Sequence, residues 1–250
     1  MKALLLALAS LLFMDAAHDF NGAADPNAQK ILFIGNSLTF FHSLPNTVAN
    51  FTHARVRDVV APGYSLHQHW DDKVAEKEIS SGGWDVIVLQ GKSVEFNSPD
   101  EFYDYGHRFG ELIAKTNPKA RVLLYETFAN DGKPQDQPKI HDIYAHLASD
   151  LHAEVVPVGD VFYFAHEKDP SLHLWIEDKL HPTAEGTYLA ACVFYKALTK
   201  KPPTGLPPTI TAKGAGEFGD IPVSWSIPAD IALHIQQLTS NYSRRSTGSL

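Results

Sequence analysis

Short apolar runs rich in Val, Ile and Leu alternate along this chain with longer stretches whose apolar positions recur every three or four residues. The runs are Ile31 to Ile34, Val56 to Ala61, Val86 to Leu89, Arg121 to Tyr125 and Glu154 to Val158. Each is too short for a helix, and a near-continuous apolar run suits a strand covered on both faces. Arg57 and Asp58 interrupt the second. Between the runs, Leu44, Val48 and Phe51 follow i, i+4, i+7, with Pro45 suited to a first helical turn. Ser98-Pro99 opens a helix whose face is Phe102, Phe109, Leu112 and Ile113, and Asn117-Pro118 ends it. Ile140 to Leu151 repeats the pattern. Pro182 begins a long helix to about Lys200 that Pro202-Pro203 closes, and Pro228 starts a last one with Ile231, Ile235 and Leu238 on one face.

This alternation predicts an α/β fold with a parallel sheet, its five strands separated by helices. The stretch from Pro202 to Pro222 is rich in Pro, Gly and Thr and reads as irregular surface chain. There is no internal repeat. One domain over residues 25–243 and a polar tail over 244–250 are expected.

A length of 250 residues with 44% hydrophobic and 20% charged positions supplies a full core for one domain. The formal net charge of -8 argues against a nucleic-acid partner, which needs clustered Lys and Arg. The single cysteine, Cys192, excludes an intramolecular disulfide, and its apolar helical surroundings suit a buried packing residue. Residues 1–24 read as an export signal. Lys2 gives a positive start, Ala3 to Phe13 an apolar segment, and Gly22-Ala23-Ala24 a small-residue cleavage site, with cleavage after Ala17 as the other option. The apolar segment falls short of the roughly 20 residues a membrane span needs, and no cysteine follows it for a lipid anchor. A secreted or periplasmic protein without a stable membrane anchor is expected.

The candidate chemistry begins where the first strand ends, in Gly35-Asn36-Ser37-Leu38-Thr39. A hydroxyl there stands at the carboxyl end of a strand, where open α/β sheets bind ligands, beside the free N–H groups of a helix start. Many strand-to-helix serines do nothing chemical, so the second element decides. Asp178-Lys179-Leu180-His181-Pro182 places a carboxylate and an imidazole three residues apart, close enough for one turn to hold both. With Ser37 as nucleophile, His181 as base and Asp178 as its orienting carboxylate, the set is complete.

At these two blocks the chain resembles the SGNH (GDSL-type) hydrolases, whose pattern has a nucleophilic serine near the N-terminus and D-x-x-H near the C-terminus. The resemblance spans Lys30 to about Lys200. It implies a flavodoxin-like three-layer sandwich and a serine esterase that needs no cofactor and no metal. It also implies an oxyanion hole from the N–H groups of Ser37 and of Gly63, within Ala61-Pro62-Gly63-Tyr64, and a third donor from block III. Where the family usually has G-x-N-D, this chain has Leu89-Gln90-Gly91-Lys92-Ser93, similar to the Q-G-E-S variant of carbohydrate O-acetylesterases. By that resemblance Gln90 is the third donor, with Ser93 as the fallback. A glutamine ending a buried strand is equally compatible with a satisfied structural amide.

The implied substrate is an acyl ester, first an O-acetyl ester of a carbohydrate or glycoconjugate. A lipid or short-chain ester on the same site is the alternative, and a non-catalytic ligand-binding module of the same fold is the rival from another class. An α/β-hydrolase is disfavoured because its nucleophile elbow, G-x-S-x-G, would need glycine where Thr39 stands. His67 and His69 have the spacing of a metal pair on a strand, but the segment reads as a turn or helix start, so ordinary histidines are expected. Phe40, Phe41, His42, Tyr64, Trp70 and Trp175 accompany the site blocks and are candidates either for a pocket wall or for core packing.

Overall fold

A computed structural model of the chain describes residues 21–22, 25, 27–92, 97–212 and 223–243. Most of the expected signal segment, Ser93 and the tail over 244–250 lie outside the described residues. The apolar runs form β1 (Lys30–Gly35), β2 (Arg55–Val60), β3 (Val86–Leu89), β4 (Arg121–Tyr125) and β5 (Glu154–Val156). They pair in parallel in the order β2-β1-β3-β4-β5, and Asn21–Gly22 adds a short antiparallel edge beside β2. This is the flavodoxin-like strand order, in which the chain reverses direction of winding between β1 and β3.

The helices are α1 (Ser37–Phe40), α2 (Leu44–Thr52), α3 (Leu66–Asp71), α4 (Val74–Ser81), α5 (Asp100–Thr116), α6 (Gln137–Leu151), α7 (Val158–Lys168), α8 (Ala184–Thr199) and α9 (Ala229–Asn241). Alternate strand residues face opposite layers. Ile31, Phe33, Val86, Val88, Leu123 and Tyr125 pack with α2, α7, α8 and α9. Leu32, Ile34, Ile87, Leu89 and Leu124 pack with α3 to α6. Both faces of the sheet are therefore covered, which explains the lack of polar alternation in the strands.

Several elements differ from the sequence expectation: α4 falls where no helix is expected, and the long helix after Pro182 begins at Ala184, capped by the Thr183 side chain. The fifth apolar run stops as a strand at Val156, and Pro157-Val158 turns its continuation into α7, with Val158, Val161, Phe162 and Ala165 buried. Within the stretch expected to be irregular, β6 (Thr209–Ala212) pairs antiparallel with β7 (Val223–Ser226). The pairing is held by burial, since Ile210 is fully enclosed and lies in the same core as α2 and α8. Thr-Ile-Thr-Ala is too brief an alternation to stand out among its flanking prolines.

Candidate active site

Ser37 is the first residue of α1, directly after β1. Asn36 caps the helix, its Oδ1 accepting from the Leu38 N–H at 3.2 Å. Gly35 must be glycine because a β-carbon there would collide with the side-chain oxygens of Thr39 and Gln90. From the other end of the chain, residues 174–183 double back. Ile176 N–H donates to the His181 carbonyl at 2.9 Å, Thr183 N–H to the Leu174 carbonyl at 3.1 Å, and Trp175 bridges Pro182. Lys179 takes a left-handed conformation (φ 63°) at the tip. The turn is moored to the β4–α6 connection by the Asp131 N–H, which donates to the Lys179 carbonyl at 2.9 Å.

This turn carries both remaining groups to the serine. His181 Nε2 lies 2.8 Å from Ser37 Oγ, and His181 Nδ1 lies 2.5 Å from Asp178 Oδ2. The other carboxylate oxygen, Oδ1, accepts from the N–H groups of Leu180 and His181, each at 2.9 Å. Partial burial works against the Asp178 charge, but the hydrogen bonds from His181 and from the two backbone N–H groups outweigh it and hold the carboxyl below its usual range. An ionised Asp178 fixes the proton of His181 on Nδ1. Nε2 is then the basic nitrogen, and the Ser37 hydroxyl donates to it.

The three groups expected to hold an oxyanion divide. The N–H of Ser37, at the first helical position, donates to no acceptor among the described residues. Gly63 stands at the third position of the Ala61–Tyr64 turn, with Pro62 before it and φ 69°, the type II pattern that glycine satisfies without strain. Asn36 Nδ2 donates to the Tyr64 carbonyl at 2.8 Å, so the Gly63 turn is tied to the residue beside the serine.

Gln90 does not fit the donor role that the resemblance implied. It is fully buried at the end of β3, where its Oε1 accepts from the Asn36 N–H at 2.9 Å and the Thr39 hydroxyl at 2.8 Å. Its Nε2 donates to Asn36 Oδ1 at 2.9 Å and to the Gly91 carbonyl. Both amide protons are committed, and none is left for a substrate.

His67 and His69 diverge. His67 pairs with Asp71 and Glu101 at 3.1 and 3.2 Å and stacks on Tyr105, while the buried His69 is hydrogen-bonded through Nε2 to the Gly35 carbonyl at 2.8 Å. The second histidine thus buttresses the strand end that leads to Ser37. Among the aromatics, Trp70 packs on Phe109, and Trp175 packs among Phe128, Phe162 and Tyr163. Phe41 lies flat on His181, ring centroids 4.3 Å apart.

A buried ionic cluster escaped the sequence reading. Glu126, immediately after β4, accepts from Gln137 Nε2 and the Asp160 N–H at 2.9 Å each. Its Oε2 lies 2.6 Å from His141 Nδ1, which also faces Asp160 Oδ2 at 3.2 Å. Burial raises the Glu126 carboxyl to about 7 against the pull of His141. Burial opposes the His141 charge, but hydrogen bonds to Asp160 and Glu126 outweigh it and raise the imidazole to about 9. These three residues have metal-ligand atoms within 4.8 Å of one another, but His141 Nδ1 already bridges the carboxylates by hydrogen bonds. The end of β4 meets α6 and the start of α7 here, and no motif spacing announces that.

No protein-family model matches the chain, and no curated protein does. Solved structures do. A protein from Slackia heliotrinireducens assigned to the SGNH hydrolases aligns at TM-score 0.60 and 24% identity, over 68% of this chain and 98% of that one. A DUF4886 family protein from Bacteroides uniformis aligns at TM-score 0.59 and 18% identity, over 86% and 94%. A Parabacteroides merdae protein assigned to the GDSL-like lipases aligns at TM-score 0.55 and 15% identity, over 69% and 96%. At these identities the likeness establishes a common fold.

Proposed function

We propose that this chain, which has the fold of the SGNH hydrolases, is a serine esterase that passes the acyl group of an ester to Ser37 and then to water. The single observation that carries the reading is the unbroken line of hydrogen bonds from Ser37 Oγ through His181 to Asp178, at 2.8 and 2.5 Å.

In the first half-reaction Ser37 Oγ attacks the ester carbonyl carbon while His181 Nε2 takes its proton. The carbonyl π electrons move to oxygen, and the N–H groups of Ser37 and Gly63 hold the oxyanion. The imidazolium returns its proton to the departing alcohol oxygen, leaving acyl-Ser37. Water then attacks the acyl carbon with His181 again as base, and collapse of the second intermediate returns the proton to Ser37 Oγ and releases the acid. Asp178 keeps its proton balance throughout, orienting Nδ1–H and stabilising the imidazolium. The Asn36–Gln90 pair holds the turn in place.

The export-type leader and the resemblance of Leu89-Gln90-Gly91 to the third block of carbohydrate O-acetylesterases favour O-acetyl esters of carbohydrates or glycoconjugates outside the cytoplasm. A panel of acetylated sugars and p-nitrophenyl esters of rising chain length tests this. Turnover confined to acetyl and other short acyl groups, with acetylated sugars preferred, is the expected result. Preference for long chains replaces the carbohydrate ester with a lipid ester. No turnover of any ester by folded protein leaves the binding module.

A further inference from the structure

Resting on the esterase reading, we infer that Phe41 is a positioning residue for the base and that Trp225, on the β6–β7 hairpin, acts through it. Phe41 follows α1 directly, so the helix that carries the nucleophile also carries the ring that backs the base. Its plane lies 9° from that of His181, with the centroids 4.3 Å apart, a stacked contact.

Such a contact does two things. It adds to the hydrogen bond with Asp178 in opposing rotation of the imidazole out of the plane that points Nε2 at Ser37. It also presents the electron-rich face of a benzene ring to a group that becomes cationic only when the serine proton arrives, so the attraction grows in the transition state.

The backbone beyond Phe41 is strained to achieve this. His42 and Ser43 both have positive φ, 46° and 54°, in two successive residues that are not glycine. Such a pair persists only where surrounding contacts over-determine it. Trp225 Nε1 donates to the His42 carbonyl at 2.8 Å, and Asn46 Nδ2 donates to Ser43 Oγ at 2.6 Å. The Thr187 hydroxyl, on α8, reaches the Phe41 carbonyl at 3.5 Å. The His42 ring meets the Trp225 ring edge-on at 6.0 Å. The hairpin lies outside the parallel sheet, and its tryptophan closes on the loop that presents Phe41.

The test is steady-state kinetics on a short-chain ester with four proteins: wild type, Phe41→Leu, Phe41→Tyr and Trp225→Phe, plus the Phe41→Leu/Trp225→Phe double variant. Phe41→Leu keeps apolar bulk and removes the ring. It is expected to lower kcat about 3- to 30-fold with KM within twofold, and Phe41→Tyr to restore at least half of the lost kcat. Trp225→Phe removes the indole N–H and part of the ring that meets His42 and is expected to lower kcat less, and the double variant to be no slower than Phe41→Leu alone. A Phe41→Leu enzyme with wild-type kcat, or one whose loss Phe41→Tyr fails to restore, overturns the role of Phe41. Losses that multiply in the double variant overturn the route through Trp225. Inactive wild type that fails to react at Ser37 with a fluorophosphonate overturns the esterase reading itself, and the positioning role with it.

Discussion

Asn36 and Gln90 exchange hydrogen bonds across the switch point of the sheet. The Gln90 amide nitrogen donates to Asn36 Oδ1, and the Asn36 backbone N–H donates back to Gln90 Oε1, both at 2.9 Å. The pair locks the end of β3 to the turn that presents the nucleophile. Because Gln90 is fully buried, Gln90→Ala strands the Asn36 N–H and the Thr39 hydroxyl and leaves Asn36 Oδ1 with the Leu38 N–H alone. A loss of about 2–4 kcal/mol in urea denaturation is expected, together with a fall in kcat as Ser37 loses its support. A variant of unchanged stability and reduced kcat would instead restore Gln90 to the oxyanion hole.

The three groups of the hydrogen-bonded line should contribute unequally to ester hydrolysis. Ser37→Ala and His181→Ala remove nucleophile and base and are each expected to abolish turnover. Asp178→Ala leaves the base misoriented and is expected to lower kcat about 10⁴-fold. Stopped assays at saturating substrate measure this, and an Asp178→Ala enzyme of near-normal kcat would remove the carboxylate from the mechanism.

Gly63→Ala tests the second oxyanion donor. No atom lies within 4 Å of a β-carbon built there, so the substitution meets only the strain of φ 69°. The expected stability loss is about 1 kcal/mol, with kcat lowered at least about tenfold as the turn shifts its N–H. Calorimetry with kinetics on the same sample separates the two, and wild-type kcat would place the donor elsewhere.

The buried cluster predicts a pH dependence of stability. The folded-state values of His141 and Glu126 both lie above their ordinary ones, so the folded protein holds protons that the unfolded chain releases. The His141 contribution is therefore complete below about pH 6.5 and is lost as pH rises through about 9. The urea midpoint of wild type should fall between pH 6.5 and 9 more than that of His141→Gln. Parallel curves would contradict the assignment.

Strand positions, most helices and the three residues of the line were legible because each left a local signature. Continuous apolar runs mark a doubly covered sheet, Pro45, Pro99 and Pro182 mark helix starts, and D-x-x-H packs its pair into one turn. Elements with competing local signals were not. The run Glu154 to Val158 reads as unbroken strand because nothing in its apolar character tells that Pro157 ends it. The hairpin of β6 and β7 is short and set among prolines, and only burial of Ile210 against α2 and α8 makes it a structure. The role of Gln90 turns on which way one amide faces, and the Glu126–His141–Asp160 cluster on three helix and strand ends meeting. Both are tertiary facts without a spacing.

The account stands on Ser37 being a nucleophile activated by His181. Intact mass and peptide mapping after treatment with a fluorophosphonate test that directly. One phosphonyl adduct on Ser37 in the wild-type protein, and none in folded Ser37→Ala or His181→Ala, is the predicted result. Folded wild-type protein that takes up no label, or takes it at another serine, would contradict it.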